Sequence, residues 1–540
     1  MCFSSLSDFL EAAASVQAFA DCFYKAATES LEERRDHGIL LNQYLLSHDI
    51  DEWSTAFLDP SWTHEVIRLT ELKLLADFYQ LMDKTCQVRR QIADRVLKGI
   101  AIRAHFAVSL ENAKASLENS CDPGTHTLTL ETASAGDDSD DSSRVMTAKF
   151  NITNELAELE NDLAFLQFVQ SDEITNVEQF VMVEFSNAFI EIQLKHYNKM
   201  FLQTLGRYHP AGQTAFVDEV NKASALLSEG DHFQHFFTDR DGTLKAYSCS
   251  YPASIQPAYS AVIQAQFARR CAQFCAIVTT SPLMHIGILN VSTMPEGYYA
   301  YGASAGREWY LNPSLQFKDD SVNDADLALL TSVFERLEEL LEQTEFRNFT
   351  WIGSGLQRHY GHITIARQDV NNSVPRHRSA QLYQAVSKIV SQVDPTASTL
   401  ALREGEYDLK IFTKVALSEV NGGQSKPTGR IFNKGHGIRL IERKMGLKLN
   451  AGKILVCGDS ETDLPMLEEC LARSPMNVYT IWVTTNPQLQ EKVRAVCEAH
   501  GNDHYVFVSC PEVSFFDVKW DSFVCLICKT CTRSCGIAFH

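Results

Sequence analysis

A chain of 540 residues is too long for a single hydrophobic core and implies two to four domains. Its composition, 45% hydrophobic and 21% charged, is that of an ordinary globular protein and excludes a disordered or fibrous one. The formal net charge of -20 argues against a nucleic-acid partner and requires locally placed cations for any anionic substrate.

No apolar run reaches the ~18 residues that span a bilayer, so no membrane partner is expected. The opening stretch MCFSSLSDFLEAAAS carries Asp8 and Glu11 and no basic leader, so it is not expected to be a secretory signal. Its 15 cysteines are scattered and are expected to be reduced thiols in the cytoplasm.

Residues 1–120 read as a helical bundle. Apolar positions recur three and four apart through Phe9, Leu10, Ala13, Val16, Phe19 and Ala20, and again through Val66, Leu69, Leu72, Leu75, Phe78 and Leu81. With no catalytic constellation, this region is expected to serve packing, self-association or a protein partner. Residues 121–147 lack large apolar groups and end in an acidic, serine-rich block, which predicts a flexible linker. Over 148–230 the helical period returns, with Leu156, Leu159, Leu163, Phe165 and Phe168, then Phe180, Val183, Phe185, Phe189 and Ile192. Two helices joined near Asp172 fit a hairpin or coiled-coil arm.

At 231–312 the pattern changes to α/β. The apolar run Phe233, Phe236, Phe237 ends in Asp239, followed by Asp241, Gly242 and Thr243, as a buried strand delivering its last residues to a sheet edge. A helix from Pro257 and the short strand CAIVT, closing on Thr279, come next. Residues 313–429 read as an α+β insertion, with the helical TSVFERLEELLEQ and the alternating GHITIAR of an antiparallel sheet facing solvent on one side. The parallel-sheet pattern resumes at KILVCGD, within a second half at 430–519. The fold class expected is α/β, a doubly wound parallel sheet with an inserted α+β cap and an all-helical N-terminal region. A tail at 520–540 carries Cys525, Cys528, Cys531 and Cys535, read as reactive thiols with a metal site as the alternative.

Four pieces in fixed order carry chemistry. Asp239 and Asp241 end one strand, Thr279 ends the next, Lys434 precedes an amphipathic helix, and Asp459 with Asp463 ends ILVCGDSETD. Parallel strands bring such ends to one crevice. Asp239, Asp459 and the Asp241 carbonyl offer hard oxygen ligands to Mg²⁺. Thr279 and Lys434 suit the equatorial oxygens of a phosphoryl group in transfer, and Asp463 can hold Lys434 or a metal-bound water.

This order resembles the haloacid dehalogenase superfamily of aspartate-based phosphatases, over about 231–515. The resemblance implies a nucleophile at Asp239, an acid/base at Asp241 and a C2-type cap that sets specificity. The stretches FFTDRDGTLK, YGASAGREW, IGSGLQRHYGHITIARQD and KPTGRIFNKGHG are similar to the trehalose-6-phosphate phosphatase family, of the nematode type with a helical N-terminal extension. That similarity implies Mg²⁺-dependent hydrolysis of trehalose 6-phosphate through a phosphoaspartyl intermediate. Family positions that hold the second glucose correspond to Gln357, His359, Arg367 and Lys426; of these only the arginine keeps the microbial residue type. The alternatives are another C2-capped sugar phosphatase, acting on sucrose phosphate or a mannosyl phosphate, a phosphomannomutase, or a helical scaffold with an inert phosphatase domain.

Overall fold

The computed structural model describes residues 66–132, 146–178, 201–283, 286–369, 373–414 and 432–513, side chains of 170–178 excepted. All of them belong to one compact unit, Val66–His540. The helices expected before residue 66, the cysteine tail and Lys426 lie outside the described residues.

Residues 66–74 run extended, where the apolar spacing predicts helix. The backbone N–H groups of Ile67, Thr70 and Leu72 donate to the hydroxyls of Ser109, Ser116 and Ser120 at 3.3, 3.0 and 2.8 Å. A ladder of serines along one helix face thus supplies the partners that a helix would have supplied internally. Helix α1 (Leu75–Lys98) then begins and ends at Gly99, whose φ of 69° forms a left-handed cap. Helix α2 (Ala104–Ser120) carries the three serines.

The segment expected to be a flexible linker is in part a sheet, so the N-terminal region is not all-helical. Strands β1 (Cys121–Asp122), β2 (Thr127–Thr132) and β3 (Met146–Asn151) pair antiparallel. In β2, Leu128, Leu130 and Thr132 are buried while Thr129 and Glu131 are exposed. Two leucines at period two suffice because α1 and α2 already offer an apolar surface. The acidic block 133–145 lies outside the described residues. Helix α3 (Thr153–Glu178) runs unbroken past Asp172, where a joint was expected, and α4 (Gly212–Gly230) leads to the eight-stranded sheet.

That sheet contains β4 (Phe233–Thr238), β5 (Ala272–Val278) after helix α5 (Ala258–Cys271), β6 (Ala300–Ala303), β7 (Glu308–Asn312) and β8 (Leu315–Lys318). The core therefore runs past the boundary expected at 312. An inserted cap follows, with α6 (Asp324–Glu342), β9 (Leu356–His359), β10 (His362–Ala366), α7 (Arg376–Val393), β11 (Leu400–Glu404) and β12 (Asp408–Thr413). The sheet resumes with α8 (Lys434–Met445), β13 (Ile454–Gly458), α9 (Leu464–Arg473), β14 (Val478–Val483), α10 (Pro487–Ala499) and β15 (Tyr505–Val508).

The strand order is β15-β14-β13-β4-β5-β6-β7-β8, parallel from β15 to β6 and antiparallel through the last two strands. From β4 the chain first builds outward through β5 and β6, and after the cap it builds outward on the other side through β13 and β14. The order thus reverses between β4 and β13, and such a switch point leaves a crevice at the strands' carboxyl ends. In the cap, the antiparallel order β11-β12-β10-β9 buries Ile363, Ile365, Leu409 and Ile411 with Leu330, Val333 and Leu337 of α6 and Leu382 and Val386 of α7. The opposite face was expected to meet solvent, yet His362, Thr364 and Ala366 are buried there, where the cap meets the core. Among the described residues no helix is long and apolar enough to cross a membrane.

Candidate active site

Strand β4 hands its carboxyl end to Asp239, whose N–H donates to the Cys457 carbonyl of β13 at 3.1 Å. Register pairs Thr238 with Ile277 and with Cys457, so Asp239, Thr279 and Asp459 all leave the same sheet edge. Lys434 is the first residue of α8, fixed there by Asn433, whose side chain accepts from the His436 N–H at 3.1 Å as the helix cap. The four pieces separated in sequence are therefore brought together.

The geometry is tight. Lys434 Nζ lies 2.8 Å from Asp239 Oδ1 and 2.6 Å from Asp463 Oδ1, and lysine and Asp463 are almost wholly buried. Asp463 Oδ2 also accepts the N–H groups of Asp459 and Ser460, each at 3.1 Å. Asp463 thus holds both Lys434 and the Asp459 turn. Asp459 accepts from the Thr243 hydroxyl at 2.9 Å and from the Tyr247 hydroxyl at 2.7 Å. Thr279 is buried, its N–H donates to the Gly302 carbonyl at 2.9 Å, and its hydroxyl accepts from the Ser281 N–H at 3.2 Å.

Oxygens of Asp239, Asp459 and Asp463 lie within 4.8 Å of one another. Burial, and then the neighbouring Asp463 charge, push the Asp239 carboxyl up despite Lys434, and burial with the Asp463 and Asp239 charges pushes Asp459 well above the carboxylate range. Burial alone would discharge Lys434, but Asp239 and Asp463 hold it charged and raise it. Three carboxyl groups share one ammonium in a site walled by oxygen donors, and their mutual repulsion leaves room for a further positive charge. A hard divalent cation such as Mg²⁺ fits that donor set and that charge.

Asp241 sits differently. Its Oδ1 accepts from Arg240 Nη1 at 2.8 Å and from the Ser254 hydroxyl at 2.6 Å. Burial raises its proton affinity, but the charges of Arg240 and Lys245 and these hydrogen bonds outweigh it and hold the carboxyl below the usual range. Arg240 is fully buried and also donates to the carbonyls of Ser254 and, at 3.2 Å, Val291. Sequence reading passed over both Arg240 and Tyr247, since a lone arginine or tyrosine beside a motif carries no spacing signal. Gly242 needs no side chain for two reasons: its φ is 87°, and a Cβ would strike Asp459 and the Tyr247 ring.

The cap docks through its β9–β10 turn. The Tyr360 N–H donates to the Ser304 hydroxyl at 3.1 Å, and Arg307 Nη1 donates to the Gly361 carbonyl and the Thr413 hydroxyl at 3.0 and 2.8 Å. Register pairs Gln357 with Thr364, His359 with His362, and Thr364 with Lys410, so these share the face away from the cap helices. The His359 and His362 rings stack at 4.0 Å, and neither His359 nitrogen has a hydrogen-bond partner among the described residues. Burial, then the Lys410 charge, lower His359 to about 3. Arg367 is not with them. One residue past Ala366, it turns to the helix side, where Nε donates to the Ser379 hydroxyl of α7 at 2.7 Å and Nη1 pairs with Glu404. Arg367 thus braces α7 against β11. Lys410 occupies the core-facing side instead.

Comparison with known proteins fits this geometry. A family model described as trehalose-6-phosphate phosphatase, C-terminal, matches residues 236–514, and one described as the trehalose-6-phosphate phosphatase N-terminal helical bundle domain matches residues 74–183. The chain is 31% identical to a trehalose-phosphatase of Caenorhabditis briggsae, over 69% of this chain and 82% of that protein. This chain belongs to the trehalose-phosphatase family. It is also 52% identical to alpha,alpha-trehalose-phosphate synthase (UDP-forming) 1 of Caenorhabditis briggsae, over 93% of this chain. The match spans only 35% of that relative's length, and likewise 35% for synthase 2 of Aphelenchoides avenae, 53% identical to this chain. The solved trehalose-6-phosphate phosphatase of Aspergillus fumigatus aligns with 58% of this chain and 97% of its own, at 14% identity and a TM-score of 0.31. The C-terminal family model spans both halves of the parallel sheet and the cap inserted between them.

Proposed function

We propose that this chain is a Mg²⁺-dependent phosphatase that hydrolyses trehalose 6-phosphate to trehalose and phosphate. The observation that carries the reading is one buried lysine shared by Asp239 and Asp463 beside the Asp459 carboxylate. Asp239 is the nucleophile. Lys434 keeps it ionised against burial and, with Thr279, faces the equatorial oxygens of the incoming phosphoryl group. Bound between Asp239, Asp459 and the Asp241 carbonyl, Mg²⁺ would offset charge on the transferring phosphoryl group.

Asp239 attacks phosphorus, the ester bond breaks, and Asp241 gives its proton to the departing sugar oxygen, leaving a phosphoaspartyl at 239. Asp241, now ionised, takes a proton from water, which attacks that phosphorus and releases phosphate. Arg240 and Ser254 occupy Asp241 Oδ1, which leaves Oδ2 to carry the proton. An anionic phosphate arriving beside Asp241 raises its proton affinity, the direction an acid needs. Gln357, His359 and Lys410 on the core-facing cap surface are the donors and acceptors for the distal sugar, and the docked cap excludes bulk water.

Phosphate release across trehalose, sucrose, glucose and mannose phosphates, with Mg²⁺ and with a chelator, tests the reading. Preference for trehalose 6-phosphate that disappears with the chelator supports it; preference for another sugar phosphate sinks the substrate assignment. The synthase names of the relatives at 52% and 53% identity favour a second reading, a non-hydrolysing section of a longer synthase. Absence of release from all four substrates would select it.

A further inference from the structure

We propose that helix α3 of the N-terminal region is a positioning element of the active site: through the loop Lys245–Cys249 it sets the Tyr247 hydroxyl against the Asp459 carboxylate. Three residues in the first turns of α3 grip that loop. Asn154 Nδ2 donates to the Tyr247 carbonyl at 2.7 Å, and Glu155 Oε1 accepts the Cys249 N–H at 2.8 Å. Glu158 Oε1 lies 3.1 Å from Lys245 Nζ, both side chains being buried. The same ammonium donates to the Ala246 carbonyl at 2.6 Å and the Ser248 hydroxyl at 3.0 Å, so it gathers the loop around itself.

At its other end the loop is tied to the catalytic turn, because the Gly242 N–H donates to the Lys245 carbonyl at 2.8 Å. Tyr247 itself is 47% exposed, so packing alone does not fix it. Its backbone grip by α3 does that work, and its hydroxyl reaches Asp459 Oδ2 at 2.7 Å. A buried ion pair such as Lys245–Glu158 yields little net stability for the desolvation it requires, whereas it fixes geometry well.

The inference rests on Asp459 being a Mg²⁺ ligand, as proposed above. Groups that hydrogen-bond a metal-ligating carboxylate orient it, and their loss typically weakens metal binding 10–100-fold. Titration calorimetry of the full chain with Mg²⁺ alone is the test. Tyr247→Phe should raise the Kd roughly 10- to 100-fold. Asn154→Ala, at the surface and harmless to folding, should raise it about 2- to 10-fold, the size of one lost hydrogen bond. Because both act through one hydroxyl, the double variant should bind no more weakly than Tyr247→Phe alone. Unchanged Mg²⁺ affinity in either single variant overturns the inference, as does full multiplication of the two effects. In those cases a wild type that still binds Mg²⁺ and releases phosphate leaves the phosphatase reading intact. A wild type that binds no Mg²⁺ overturns both.

Discussion

Lys434 at the carboxylate cluster has two separable duties, and each has its own measurement. As a donor to the phosphoryl group, its loss in Lys434→Ala should lower kcat by roughly 10²–10³. As the counter-charge of two buried carboxylates, its loss should also cost about 3–5 kcal/mol of stability, read as a lower urea midpoint. An unchanged kcat with only a raised KM would mean that Lys434 merely binds substrate. Asp239→Asn separates chemistry from folding more cleanly, because the amide keeps the shape but is a poor nucleophile and metal ligand. Turnover should vanish while the urea midpoint stays near wild type; turnover within a few-fold of wild type rules out the covalent route.

Strand alternation decides which cap residues can reach a sugar. Gln357 and His359 lie on the core-facing side and Arg367 on the helix side. Gln357→Ala and His359→Ala should each lower kcat/KM for trehalose 6-phosphate about 5- to 150-fold, the effect of one unpaired polar group, and spare a small phosphate ester. Arg367→Ala should affect both substrates alike, through a loosened α7–β11 brace; a loss confined to the disaccharide would return Arg367 to the sugar site. The cap also bears on acid stability. Burial lowers His359 to about 3, takes His362 well below the usual range, and lowers His235 of β4 to about 4. A base whose folded pKa is depressed contributes stability above its unfolded pKa and loses it as pH falls, here from about 6.5 towards 4. Between pH 7.5 and 5.5 each such histidine should remove about 1.4 kcal/mol, and His359→Gln should flatten the slope of urea midpoint against pH. An equal slope in wild type and variant would show that His359 is already solvated.

The described N-terminal helices pack as part of the same body as the parallel sheet. Arg89 of α1 pairs with Asp162 of α3 at 2.6 Å with both side chains buried, and the Tyr259 N–H of α5 donates to the same aspartate at 3.1 Å. Arg90 donates to the carbonyls of Ser292, Leu289 and Asn290, at 2.8, 2.7 and 2.8 Å. A cut at residue 147 looks harmless if 121–147 is a linker. Across this interface it strands Asp162 as a buried, unpaired charge and bares the apolar side of α5. Arg89→Met alone should destabilise by about 3–5 kcal/mol, and deletion of 1–147 should yield insoluble or partly unfolded protein. A soluble truncation with wild-type phosphate release would show that the helices only decorate the core.

The sheet, its inserted cap and the cluster Asp239, Asp241, Thr279, Lys434 and Asp459 were legible in the sequence, because each is local. An apolar strand running into a short polar turn is written in consecutive residues, and parallel strands bring such ends to one edge whatever lies between. The remainder depended on distant neighbours. Leu69 and Leu72 carry a helical spacing but lie outside any helix, since serines of α2 offered the backbone of 67–72 a better partner. Leu128 and Leu130 are too few to predict a strand until a preformed apolar surface receives them. Arg367 matched a family position in residue type, yet pairing register put it on the other face. Arg240, Tyr247 and the grip of α3 on the catalytic loop join residues far apart in the chain, and tertiary packing alone decided that they meet.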